Sequence, residues 1–179
     1  MDDKLKECAL AYNNLLNKEY YIKAGKKGKL IEVRIFFDKE HFYHLSGLHK
    51  LRDIWQVKIN TAKLYDDILN EKLTYNEISS SAFFDEMSDR LEYLPYLEQI
   101  LDSEETMIKY NQSQTKSGIE AKYIIYSRID GLYVHFFIDL NEERQKYFGR
   151  TFFTREDSLY LQDRPYKILE KIKITKDAE

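Results

Sequence analysis

Cysteine and proline are nearly missing from this chain, with one of the former and two of the latter in 179 residues. A lone Cys8 excludes any intramolecular disulfide, so a stapled secreted scaffold is ruled out and a cytosolic redox setting fits. Cys8 itself reads as a small core residue. Glycine is scarce as well, at six, and neither a GxxxxGK[ST] loop nor a GxGxxG turn after a strand occurs, which removes the usual phosphate cradles of nucleotide-triphosphate enzymes. No apolar run reaches the ~18 residues that a membrane helix needs. The start, MDDKLKECALAYNNLL, lacks the cationic segment and apolar centre of a secretory signal. The expectation is a cytoplasmic protein without a membrane partner. Charge of one sign is also lacking: the net value is −3, so no global basic field draws the chain toward nucleic acid.

What is present in excess is aromatic. Fifteen Tyr, ten Phe and one Trp bring the aromatic fraction to 15%, a supply of large amphipathic rings suited to sheets and also to stacking on nucleobases. Charge, though balanced, is uneven. Lys23, Lys26, Lys27, Lys29 and Arg34 cluster early, and Arg144, Lys146, Arg150, Arg155, Arg164, Lys167, Lys171 and Lys173 crowd the C-terminal part. The two groups become a local phosphate-binding surface if the fold makes them neighbours, and a pair of solvated strand faces if it does not.

Along the chain, Leu5, Ala9, Tyr12, Leu15 and Leu16 repeat at helical spacing and predict an opening helix over 3–17. EYYIKAG (19–25) and KLIEVRIFF (29–37), joined by KKG, predict a β-hairpin. Residues 38–102 are expected to be helical, with Asp38 capping a histidine-bearing helix, Asn60 or Thr61 starting another, and Pro95 breaking a third. Five β-rich runs follow: ETMIKYN, EAKYIIYSRI, GLYVHFFIDL, KYFGRTFFT and YKILEKIKI. Asp130–Gly131 gives the strongest hairpin signal, and 111–118 reads as an exposed loop. Helices grouped first and strands last predict a single α+β domain over 1–179, with helices on one face of an antiparallel sheet.

The segment HFYHLSGLHK, residues 41–50, holds three of the four histidines. His41 and His44 lie one helical turn apart, a spacing compatible with a metal. Yet the Glu of HExxH is missing and no Cys pair lies nearby, so no metal site is assigned. Wound as one helix over 41–55, the segment puts His44 on the leucine face as a core histidine and His49 at its edge, nearer solvent. His135 lies on the Tyr133–Phe137–Asp139 face of its strand. With Tyr126, Arg128, Arg150 and Thr151 it makes either a cleft floor or a half-wet sheet face.

HFYHLSGLHKLRDI, the hairpin strand before it, KLYDDILNEKLTYNEISSSAFFDEMSDRLEYL after it and the late YFGRTFF resemble the phage nuclease family grouped with barnase, EndoU, colicin and RelE toxins. The match is closest to its branch marked by an HxxHLxGLHKL block, and it covers about residues 19–170. The resemblance implies a ribonuclease-toxin-like α+β fold of phage or mobile-element origin. It also implies metal-independent endoribonuclease chemistry without a cofactor, in which the RNA 2′-OH is drawn onto the adjacent phosphate. RNA is then the expected partner, with a neutralising protein as a second candidate. The block matches at His41, His44, Leu45, Gly47, Leu48, His49 and Lys50. Candidate catalytic residues are His44 or His49 as base or acid, with Arg90 and Arg150 as phosphate clamps. Candidate substrate-binding residues are His41, Lys50, Tyr126, Arg128, His135 and Thr151. The alternative is a non-catalytic interaction module that keeps the nuclease fold.

Overall fold

Each of the β-rich runs folds as a strand in the computed structural model, which describes residues 3–176. The strands are β1 (Lys18–Lys26), β2 (Lys29–Phe36), β3 (Thr106–Lys109), β4 (Tyr123–Ile129), β5 (Leu132–Asn141), β6 (Lys146–Arg155) and β7 (Tyr166–Thr175). Two hairpins are set by their turns. Lys27 and Gly28 have φ of 48° and 79°, and Asp130 and Gly131 have 51° and 81°. Positive φ at both central residues is what a two-residue turn needs to match strand twist.

The expected α+β arrangement, with helices on one face of an antiparallel sheet, is overturned. The sheet closes on itself as a barrel in the order β1-β2-β6-β5-β4-β3-β7. Two joints do this. β7 returns to pair antiparallel with β1 from Lys18↔Thr175 to Gly25↔Lys167. β2 meets β6 in parallel at Ile35↔Tyr147 and Phe36↔Phe148. Both link segments more than 100 residues apart, and pairing at that range leaves no trace in local periodicity.

The segment between β2 and β3 is helical only in short pieces. These follow α1 (Lys4–Asn13), and they are α2 (His41–Leu45), α3 (Thr61–Leu69), α4 (Tyr75–Ser79), α5 (Ser88–Tyr93) and α6 (Leu97–Ser103); α7 (Gln112–Thr115) is a single turn within the expected loop. The predicted opening helix ends four residues early. Asn60 caps α3, accepting from the Ala62 and Lys63 amides. Asp38 does not cap α2 through its side chain: its carbonyl accepts from His41 N, and its carboxylate pairs with Arg144 at 2.9 Å.

These pieces pack with one face of the barrel in the main core, where Tyr12, Phe42 and Tyr65 meet at ring distances of 5.3–6.1 Å. Burying each such ring contributes roughly 1.5–3 kcal/mol. The opposite face of β4, β5 and β6 carries a smaller cluster of Tyr110, Ile124 and Phe137, covered by Tyr160 and Leu161.

Candidate functional site

Gly47 decides where the histidines go. Its φ is +81°, and a Cβ there would lie 2.6 Å from Met87 Cβ and 2.7 Å from Arg90 Cδ. Only glycine tolerates that backbone and that approach together. The expected continuous helix over 41–55 is therefore broken after α2, and Leu48–Lys50 form a separate tight turn. The break reverses the expectation for His44: it is exposed, not a core residue, and its ring centroid lies 4.9 Å from that of His49.

A cleft of about 430 Å³ is lined by His44, His49, Lys50, Arg90, Gly118, Ile119, Glu120, Arg150, Thr151, Phe153 and Tyr160. Arg90, on α5, is 6% exposed. Its Nη1 donates to the His44 carbonyl at 3.1 Å and to Thr151 Oγ1 at 3.3 Å, and its Nε is buried without a partner among the described residues. Among the described residues no carboxylate pairs with it, so a desolvated guanidinium faces the cleft with charge to spare. The neighbouring Asp89 fixes α5 to β6, accepting from Thr154 N and Oγ1, each at 2.9 Å.

Arg150 reaches the same cleft by an irregularity. Phe137 pairs with Thr151 but Ile138 pairs with Gly149, so Arg150 is the unopposed residue of a β-bulge. In a regular strand Arg150 and Thr151 would point to opposite faces; the bulge lets both line one cleft. Gly149 serves the same locality. A Cβ there would lie 2.7 Å from the Phe136 ring and 3.0 Å from Leu45, so its absence lets α2 sit down on β6. Arg150 is held loosely, with Glu120 3.8 Å away.

Both cleft histidines have their pKa pushed below the ordinary imidazole value. Burial, then the positive charge of Arg90, lowers His49 to about 4, with the main chain at Tyr43 offsetting part of this. Partial desolvation of the otherwise exposed His44 ring, then the positive charges of Arg150 and Arg90, shift His44 in the same direction.

Of the residues singled out from sequence, His44, His49, Lys50, Arg90, Arg150 and Thr151 come together; His41, Tyr126, Arg128 and His135 do not line this cleft. His41 stacks on Phe148 at 5.1 Å, and its Nδ1 accepts from Asp38 N. Arg128 lies over Tyr133. His135 is fully buried, neither a cleft floor nor half-wet, because Tyr160 covers it. Phe153 and Tyr160 were missed. Phe153 was within reach, since it shares the alternation of Thr151; Tyr160 and Glu120 sit in loops with no periodic signal. The two basic segments do become neighbours, but Arg34 and Lys146 are neutralised by Glu19, and Lys173 by Glu98 and Asp102.

A family model described as phage-Barnase-EndoU-ColicinE5/D-RelE like nuclease 4 matches residues 4–177. No curated protein and no solved structure matches the chain.

Proposed function

Because the chain belongs to the phage-Barnase-EndoU-ColicinE5/D-RelE like nuclease 4 family, we propose that the His44–His49–Arg90–Arg150 cleft cleaves RNA phosphodiesters without a metal ion. The observation that carries this reading is the meeting of two imidazoles, 4.9 Å apart, with a buried arginine that has no carboxylate partner among the described residues. A neutral imidazole can accept a proton from the 2′-OH. The 2′ oxygen then attacks phosphorus, the bond from phosphorus to the 5′ oxygen breaks, and the departing oxygen takes a proton from the second ring. The products are a cyclic phosphate and a 5′-hydroxyl. Arg90 and Arg150 supply positive charge where the phosphoryl oxygens gain negative charge, and in a partly desolvated cleft that charge acts strongly.

One of the two rings must be protonated to act as acid, and the arginines oppose this in the free protein. An incoming phosphate cancels their field and raises the imidazole pKa, so binding of the substrate arms the acid. Cleavage of a labelled single-stranded RNA in EDTA is the test. His49→Ala and Arg150→Ala are each expected to lower the rate on the order of 10²–10⁴-fold while the fold persists. Cleavage that EDTA abolishes, or that both variants retain, rejects the reading. Phosphate binding without cleavage by the parent protein converts it to the interaction module.

A further inference from the structure

The cleft has an aromatic wall that phosphate chemistry alone does not require. His135 and Phe137 lie beneath it, fully buried, and both stack nearly parallel to Phe153 at 5.5 and 5.2 Å. Tyr160 stands edge-on to Phe153 at 5.6 Å and 71°, so the two rings make a corner. Both are only partly buried, and both line the cleft. The layer behind them is packed, which fixes the orientation of Phe153 before any ligand arrives. The Arg90 guanidinium lies 5.9 Å from the Phe153 centroid. Arg155 stands over Tyr160 at 5.5 Å and is held by Asp157 through two hydrogen bonds of 2.6 and 2.8 Å.

We infer that the Phe153–Tyr160 corner binds a nucleobase next to the phosphate held at Arg90, so the RNA must present an unpaired base at the cleft. This deepens the proposed function and rests on the phosphodiester reading of the same site. Flat π-faces stack with any base, but only when that base has left its own helical stack. Ile119 adds an apolar wall without hydrogen-bonding capacity. The subsite therefore selects for an exposed base more than for its identity.

Three probes separate this inference from the reading beneath it: inorganic phosphate, ribose 5-phosphate and adenosine 5′-monophosphate, titrated into the parent protein by calorimetry or NMR. Adenosine 5′-monophosphate is expected to bind roughly tenfold or more tightly than ribose 5-phosphate. Tyr160→Leu should shrink that ratio and Tyr160→Phe should restore it. The parent measurement stands even if Tyr160→Leu fails to fold. Equal affinity for the two sugar phosphates, with phosphate binding weakened by Arg90→Gln, overturns the base subsite and leaves the phosphate cleft standing. Failure of every probe, or binding indifferent to Arg90→Gln, sinks the cleft and this inference together.

Discussion

A single hydrogen atom in place of a side chain governs the candidate site. A methyl group at Gly47 would occupy the space of Arg90 Cδ, in a backbone conformation that costs other residues about 1–2 kcal/mol. Gly47→Ala is expected to displace Arg90, lowering stability by roughly 2–3 kcal/mol and RNA cleavage by more than tenfold. A thermal melt and a cleavage assay on one preparation check this; full activity in a stable variant would show that Gly47 does not set the arginine. His135 gives a second residue-scale expectation. Among the described residues neither ring nitrogen has a hydrogen-bond partner, and burial lowers its pKa from 6.5 to about 4 despite nearby main chain at Phe153. The native ring thus resists protonation that the unfolded ring accepts. The associated stability is full above pH 6.5 and is lost as pH falls toward 4. His135→Phe should be more stable than the parent at pH 7. Between pH 7 and 5 it should lose ~2 kcal/mol less in urea unfolding. An unchanged pH slope would mean that this ring is not the acid-sensitive group.

At the scale of elements, the strand ends that close the barrel share one carboxylate. Glu19 on β1 is fully buried and pairs with Arg34 on β2, with Lys146 on β6 at 2.9 Å, and with Lys176 just past β7 at 2.6 Å. Burial alone would raise its pKa, but the hydrogen bonds from these cations overcome that and hold the carboxyl at about 2. Glu19→Gln is expected to cost about 2–3 kcal/mol in denaturant unfolding, since it strands three cations around a neutral amide. A loss below about 0.5 kcal/mol would mean that the closure relies on the backbone ladders instead. The strands themselves were legible from residues such as Val33, Ile35, Val134 and Phe136, because alternation is a local property. The path of the histidine segment was not. Gly47 was visible as an interruption, but the Arg90 side chain that fills the space of its missing Cβ lies far along the chain and enters from another element. The bulge at Arg150 was hidden for the same reason: it exists only relative to β5.

For the whole molecule, closure separates local from global electrostatics. The net charge of −3 argues against nucleic acid, yet the cleft gathers Lys50, Arg90 and Arg150 against Glu120 alone. With about three phosphate contacts, affinity for single-stranded RNA should fall with salt on a log–log slope near −2. A slope steeper than about −4 would spread the RNA over a wider basic surface and away from this cleft. The candidate residues were legible as types while their meeting was not, since His49, Arg90 and Arg150 reach one hollow only after β6 has found both β5 and β2.

Removing the extra residue from β6 would give a tidier sheet. The ladder to β5 would run without interruption, the alternation of side chains would continue in phase, and the cylinder would have no evident reason to open. What would vanish is a guanidinium on the inhabited side of the wall. A one-residue deletion at Arg150 should therefore leave a well-ordered shell that has gone chemically blind, with regularity gained and purpose lost in the same stroke.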